Sequence, residues 1–419
     1  MTVERGWRTH LGQLLSLALV TALAGCAPTS ASTTPTPSVA STASDATATA
    51  STSTPASTPV AVARRFPTDL FAALGGQPMS DATAAALQEA LDASSKGDGL
   101  TATVIAPGGT WSGATGKATA ERAMVPNDQM GIGSITKTLV AAQVMRLVEA
   151  GQIRLEDLAA DRLPPDLGFD TNHATIEDLL SMRSGIPEYF AVDDDAFLKV
   201  LTRDRLHVFT TKEKLATVAP ERGRVGQDRE WEYIGTNYLL LSLIIERVTG
   251  RSVAEVLRAG VLEGDAYGRL IYQPDERPTA PMAMPSGVSA STFEDGGGYL
   301  PSLANATMFT TEGAMASDAQ SLARWFRNLC AGQVVSQSSL DEMTDLVKRP
   351  EYGLGIWDRR TEYGPSSGAL GHTGLVREGY RSAAFCFQHP ALVIVVLANA
   401  AEHDVETTAG RLWRAASGS

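Results

Sequence analysis

Apolar and polar positions alternate along this chain with more than one period. From Ala82 to Ala93, residues Ala86, Leu87 and Leu91 fall on one side, the spacing of an amphipathic helix. Leu100 to Ala106 reads as a strand, Pro107-Gly108-Gly109 as a turn, and Thr110 to Ala114 as the second strand of a hairpin. The stretch Gly131-Ile132-Gly133-Ser134-Ile135-Thr136-Lys137 then opens an apolar run, Leu139 to Val148, closed at Gly151. That pattern predicts a helix starting near Ser134 and ended by glycine. From Ile153 to about Glu263 the signals are mainly helical. Thr175-Ile176-Glu177-Asp178-Leu179-Leu180 is a capped start, and Ser184-Gly185-Ile186-Pro187 breaks the helix. Asn237 to Val248 is a strongly apolar helix ended by Gly250, and Ser252 to Leu257 begins another. Residues 264–312, with their prolines and Gly296-Gly297-Gly298, carry no assignable period.

Beyond them, Ser317 to Leu329 predicts a helix with Ser317 as its cap, and Leu340 to Val347 a further helix. Tyr352 to Trp357, Ser382 to Phe387 and Leu392 to Leu397 read as strands, the last a continuous apolar run suited to a buried central strand. Val405 to Ala415 closes as a helix. These elements predict an α/β (α+β) fold. Its sheet takes strands from both ends of the chain, with helices on its faces and a mostly helical lobe, about 153–263, between.

The first 65 residues follow another pattern. Arg5 and Arg8 precede an apolar run from about Leu11 to Ala24, too short to span a bilayer and laid out as a signal-peptide core. It ends in Leu23-Ala24-Gly25-Cys26. This resembles a bacterial lipoprotein signal. The resemblance implies that 1–25 is removed, that Cys26 is lipidated, and that the protein is held on the outer face of the cytoplasmic membrane. An ordinary signal peptide with an incidental cysteine is the alternative. Residues 27 to 63 are almost wholly Ala, Ser, Thr, Pro and Val, with Asp45 the only charge. Such a segment buries too little apolar surface to offset its entropy, so 26–65 is expected to be a disordered tether before a folded part at 66–419.

Composition narrows the function. The formal charge of -12 and pI of about 5.1 argue against nucleic acid as a partner. Three cysteines do not make a disulfide scaffold. Cys330 and Cys386, each among apolar neighbours, are expected as two buried free thiols, with a disulfide as the alternative. The six histidines are scattered, with no His-Glu-x-x-His and no Cys-x-x-Cys, so neither a metal site nor a cofactor is expected.

Candidate chemistry lies in three stretches. A serine and a lysine three residues apart at a helix start share one face, so Lys137 comes within reach of the Ser134 hydroxyl. The helix terminus adds N–H groups suited to an oxyanion. Ser134-Ile135-Thr136-Lys137 therefore has the layout of an activated nucleophile. The other two are Trp231-Glu232-Tyr233-Ile234-Gly235-Thr236-Asn237-Tyr238 and Gly371-His372-Thr373-Gly374-Leu375. In order and spacing they resemble the serine β-lactamase and penicillin-binding-protein superfamily, in the branch of class C β-lactamases, D-alanyl-D-alanine carboxypeptidases and related esterases. Leu179-Leu180 to Pro187, Asn237-Tyr238 to Thr249-Gly250, Gly313 to Asp318 and Tyr352-Gly353-Leu354-Gly355 agree with it, and the resemblance covers roughly 80 to 417.

The resemblance implies an antiparallel sheet flanked by helices plus a helical lobe. It implies that Ser134 forms an acyl-enzyme, that Lys137 shares or relays its proton, and that Tyr233 is a base and then an acid toward the leaving group. Which of Lys137 and Tyr233 takes the first proton stays open. His372, Thr373 and Gly374 would line the substrate, with Thr373 bonding it, and the N–H groups of Ser134 and Leu375 would form the oxyanion hole. A charged His372, titrating near an ordinary pKa of about 6.5, would help hold a substrate carboxylate. Two departures stand out. Gly235 occupies the place of an asparagine that contacts the substrate's acyl-side amide, and the loop Leu375 to Tyr380 is about one residue longer than the family's usual turn. Both disfavour β-lactams. The expected function is a serine acyl hydrolase outside the cytoplasmic membrane, acting on D-alanyl peptides of the cell wall or on small esters and amides. A β-lactamase and a non-catalytic penicillin-binding-like sensor are the alternatives.

Overall fold

The computed structural model describes residues 65–189, 199–201, 203–218, 231–273, 275–286, 302–377 and 379–418. The leader, Cys26 and the tether up to residue 64 lie outside these residues, as do Gly296-Gly297-Gly298.

Helix α1 (Asp81–Asp92) starts at Ser80, whose hydroxyl accepts from the Thr83 N–H. It buries Leu87 and Leu91 over a hairpin of β1 (Leu100–Ala106) and β2 (Gly109–Thr115), paired from Leu100↔Thr115 to Ala106↔Gly109. A short strand, β3 (Met130–Gly131), leads through a single 3-10 turn at Gly133–Ile135 into α2 (Thr136–Glu149). Every residue of α2 from Thr136 to Met145 is buried, which is why its pattern reads as apolar all round.

The described residues from 153 to 263 contain helices and no strand. Three of them matter here: α3 (Ile176–Leu180), α4 (Thr236–Thr249) and α5 (Val253–Ala259). Capping boxes at Thr175–Asp178 and Ser252–Glu255 start α3 and α5, and Gly250 ends α4 in a left-handed conformation. The region without a readable period supplies β4 (Ile271–Tyr272), α6 (Leu303–Met308) and α7 (Thr310–Gly313). These are too short for periodicity to register.

Next, β5 (Met315–Ser317) joins β3 and β4 in a small sheet, order β3-β5-β4. Ser317 is therefore not the helix cap. Asp318 caps α8 (Ala319–Cys330), its carboxylate accepting from the Ser321 N–H at 2.7 Å. The following helix, α9 (Gln337–Met343), begins and ends earlier than its pattern implied. The stretch from Tyr352 is largely not a strand. The Gly353 N–H bonds back to the Ile356 carbonyl, and Gly355 turns at φ 74° against α2, where a Cβ would stand 2.5 Å from that of Ala141. Only β6 (Trp357–Asp358) remains.

The last strands, β7 (Leu370–Val376), β8 (Tyr380–Gln388) and β9 (Ala391–Ala398), complete a six-stranded sheet ordered β2-β1-β9-β8-β7-β6, antiparallel throughout. Strand β9 joins the two ends of the chain, from Leu100↔Ala398 to Ile105↔Val393. Its alternate residues serve opposite cores. Leu392, Ile394 and Val396 meet α1 and α10 (Val405–Ser417), whereas Val393, Val395 and Leu397 meet the side that holds α2 and α8. Burial on both faces explains the unbroken apolar run. Cys330 and Cys386, expected as free thiols, form a disulfide from the end of α8 to β8. Their pairing follows from α8 lying over β8, an adjacency that neither neighbourhood in sequence contains.

Candidate active site

The 3-10 turn holding Ser134 is pressed against β7. Gly133 has φ 51°, and a Cβ there would stand 2.6 Å from the Leu375 nitrogen. From the other side, a Cβ on Gly374 would collide with the Ile132 carbonyl. Two glycines thus allow two backbones to meet, and Ser134 is left half-buried beside Leu375. Thr136 anchors the turn, its hydroxyl donating to the Gly133 carbonyl at 2.7 Å and accepting from the Met315 N–H at 3.2 Å.

Lys137, on the first turn of α2, is 2% exposed. Its Nζ donates to Ser134 Oγ at 3.1 Å and to the Glu312 carbonyl of α7 at 2.6 Å. The same Nζ lies 5.1 Å from the Tyr233 ring centroid and 5.7 Å from that of Tyr238. Tyr233, just before α4, stacks on Trp357 at 5.5 Å and meets Tyr352 edge-on at 5.9 Å. Its hydroxyl is buried and has no hydrogen-bond partner among the described residues. The structure therefore joins Ser134 and Lys137 directly. It brings Tyr233 in through its ring, with the hydroxyl uncommitted.

His372, Thr373, Gly374 and Leu375 lie within β7 itself. His372 is 1% exposed. Its Nδ1 donates to the Thr373 carbonyl at 2.6 Å, so its Nε2 accepts from the Tyr352 hydroxyl at 3.1 Å. Burial pushes its pKa well below 6.5, and Lys137 and Arg359 push in the same direction, against the Thr373 carbonyl. The charged His372 expected from the sequence is thus replaced by a neutral imidazole bonded to the protein's own groups.

A cation does stand at this strand, at a position that sequence reasoning missed. Arg359 Nη2 donates to Thr373 Oγ1 at 3.2 Å, and Nη1 pairs with Glu406 Oε1 at 2.9 Å. The guanidinium lies 4.9 Å from the Trp357 ring centroid. No motif marks Arg359. Only the β6–β7 pairing brings its neighbourhood to Thr373.

Two acids at the other side were equally invisible. Glu188 follows the Ser184-Gly185-Ile186-Pro187 break and accepts from the N–H groups of Gly235, Thr236 and Tyr189, the last two at 3.2 and 3.0 Å. Glu312 accepts from the Tyr189 hydroxyl. Burial, reinforced by Glu312, pushes Glu188 up to about 8, and burial raises Glu312 while Lys137 opposes it. Lys214 is fully buried, donates to the Thr307 carbonyl at 2.9 Å, and is pushed down to about 8 by burial. Among the described residues no group of three His, Cys, Asp or Glu side chains could hold a metal ion.

A buried lysine bonded to a half-buried serine, under an antiparallel sheet and beside a helical lobe, defines a serine hydrolase of the β-lactamase and penicillin-binding-protein fold. The Beta-lactamase family model matches residues 84–417, and the chain belongs to that family. Among curated proteins it is similar to Penicillin-binding protein 4* of Bacillus subtilis (strain 168), at 28% identity over 160 residues. That match takes in 36% of this chain and spans only 33% of the relative. Among solved structures it is similar to a D-stereospecific amidohydrolase from Streptomyces sp. (25% identity, TM-score 0.63, 79% of this chain and 98% of the other). The D-amino acid amidase from Ochrobactrum anthropi SV3, solved with L-phenylalanine, shares the fold (22% identity, TM-score 0.65, 81% and 99%).

Proposed function

We propose that this protein is a serine acyl hydrolase that works through an acyl-enzyme on Ser134, of the D-alanyl-D-alanine carboxypeptidase or esterase type. The observation that carries this is the 3.1 Å contact between Lys137 Nζ and Ser134 Oγ at the head of a buried helix. Ser134 Oγ attacks the substrate carbonyl as its proton passes to an amine or phenolate beside it. The Lys137 contact favours Lys137 as that acceptor. The tetrahedral oxyanion is met by the N–H groups of Ser134 and Leu375. Collapse breaks the bond to the leaving group, which takes a proton from the Tyr233 hydroxyl, a buried donor with no hydrogen-bond partner among the described residues. Water then attacks the acyl-enzyme and the same groups return Ser134 to its starting state.

Arg359 and Thr373 support a carboxylate on the leaving-group side, as a D-alanyl peptide would offer. A guanidinium and a hydroxyl together give a charge-assisted site. We further propose that the protein works outside the cytoplasmic membrane, held by a lipid on Cys26. A sensor without turnover is disfavoured by the complete set of Ser134, Lys137 and Tyr233. The test is intact-protein mass spectrometry after exposure to a penicillin, a D-Ala-D-Ala peptide and a p-nitrophenyl ester, with Ser134→Ala alongside. A transient or lasting adduct on the parent, absent in Ser134→Ala, is expected. Equal turnover by both proteins would remove the mechanism.

A further inference from the structure

Gly235 is where the site departs from its family's pattern, and its surroundings explain what took the missing side chain's place. A Cβ at 235 would collide with Glu312 Oε2 and stand 3.2 Å from Glu188 Oε1. Two carboxyls therefore converge on the emptied position. Glu312 is 4% exposed, and Glu188 is half-buried. Glu312 is also tied to the nucleophile, because its main-chain carbonyl accepts from the Lys137 Nζ that bonds Ser134 Oγ. One residue thus holds the lysine with its backbone and shapes the acyl-side wall with its side chain.

Among the described residues, the two buried lysines whose charge acts on these carboxyls make their hydrogen bonds elsewhere. Lys137 serves Ser134 and the Glu312 main chain, while Lys214 donates to Thr307, Met308 and Thr310. The carboxyls bond to the Tyr189 hydroxyl and to the N–H groups of Tyr189, Gly235 and Thr236. An asparagine at 235 would suit an acylated nitrogen, giving one donor and one acceptor to an amide. A pair of carboxyls suits the opposite case. Its unprotonated oxygens accept N–H bonds from an ammonium, whose positive charge also favours ionisation of both carboxyls, and the ionised pair meets an amide carbonyl with like-signed oxygen.

We propose that Glu312 is a specificity-determining residue. With Glu188 it selects acyl groups that carry a free ammonium beside the scissile carbonyl over those whose nitrogen is acylated. The preferred substrates are then amides, esters or peptides of amino acids with a free amino end, which narrows the carboxypeptidase reading to D-alanyl peptides whose acyl residue keeps its amine. This inference rests on Ser134 as the nucleophile. It also predicts poor handling of penicillins and cephalosporins, whose acyl side carries an acylated nitrogen.

The experiment compares kcat/KM for D-alanine p-nitroanilide and N-acetyl-D-alanine p-nitroanilide in the full chain, with Ser134 adduct formation from p-nitrophenyl acetate followed by mass spectrometry. The parent is expected to favour the free amine by about tenfold or more, the scale of one charge-assisted hydrogen bond. Glu312→Gln is expected to move that ratio toward unity by a similar factor, and Glu312→Ala to do the same. A parent that forms the acetyl adduct without preferring the free amine overturns the inference alone. So does a Gln variant that slows both anilides equally, or loss of folding in both variants, since each leaves Glu312 a purely structural role. No adduct on Ser134 from any substrate overturns the nucleophile assignment and this inference with it.

Discussion

Tyr233 and Lys137 separate two effects that single substitutions usually mix. The Tyr233 hydroxyl is buried without a partner, and an unpaired buried hydroxyl adds nothing to stability. Tyr233→Phe keeps the stacking on Trp357, so it should leave the unfolding midpoint unchanged or raised while cutting kcat by about 10²- to 10⁴-fold. A variant that loses stability and keeps its rate would show the hydroxyl to be structural. Arg359→Gln should weaken kcat/KM for a carboxylate-bearing D-alanyl peptide by about tenfold or more relative to a neutral ester. Equal losses on both substrates would remove Arg359 from recognition. Titration gives opposite signs at two residues. His372 is neutral in the fold, whereas the unfolded chain takes up its proton below about pH 6.5. The unfolded state then binds more protons, and stability falls as pH drops below that value. Glu188 keeps its proton up to about 8 in the fold against 4.5 ordinarily, so its contribution is fully present below the lower value and is lost as pH rises through the upper. Urea midpoints should show Glu188→Gln gaining on the parent from about pH 5 to pH 8, and His372→Gln gaining from about pH 7 down to pH 5. A constant offset at either residue would refute its assignment. Ser134 and Lys137 were legible in the sequence because three residues on a helix fix their distance. Arg359, Glu188 and Glu312 were not, since each matters only through a partner far away in the chain.

Elements were legible where a period ran long enough. Helices α1, α2 and α4 and strands β8 and β9 lie close to their sequence patterns, because each buries a defined face. The stretch from Tyr352 failed for a local reason. Its apolar residues pack into the core as a turn, since Gly355 must let α2 approach. The α8 cap was misplaced by one residue because serine and aspartate both cap well, and pairing in β5 decided between them. Asp318→Ala should therefore cost about 0.5–2 kcal/mol of stability by denaturant unfolding, and Ser317→Ala less than that. The Cys330–Cys386 link closes a loop of 56 residues' separation between α8 and β8. In the chain-entropy account a loop of that size contributes about 4 kcal/mol. Replacing both cysteines with serine should lower the unfolding free energy from urea titration by a comparable amount, and thiol counting on the denatured, unreduced protein should find neither Cys330 nor Cys386 free. Two free thiols at those positions would restore the expectation first drawn from the sequence.

At the scale of the molecule, the sheet's membership was readable from the position of its apolar runs. Its order was not, because strand neighbours are chosen by contacts between residues of distant number. The proposed anchor belongs to this scale too. Cys26→Ser should release the protein into the medium, and identical fractionation of variant and parent would refute lipid attachment. The pairing of β1 with β9 has a temporal side. The hairpin of β1 and β2 and the Ser134–Lys137 turn are synthesised early, yet the strand that flanks the hairpin ends at Ala398. Contacts of such long sequence separation form slowly, after loop-closure entropy has been met. A chain interrupted before Ala391 would hold its nucleophile and its lysine but lack the strand that joins the β1–β2 hairpin to β8. Hydrolysis is thus expected to begin only after synthesis has passed Ala398.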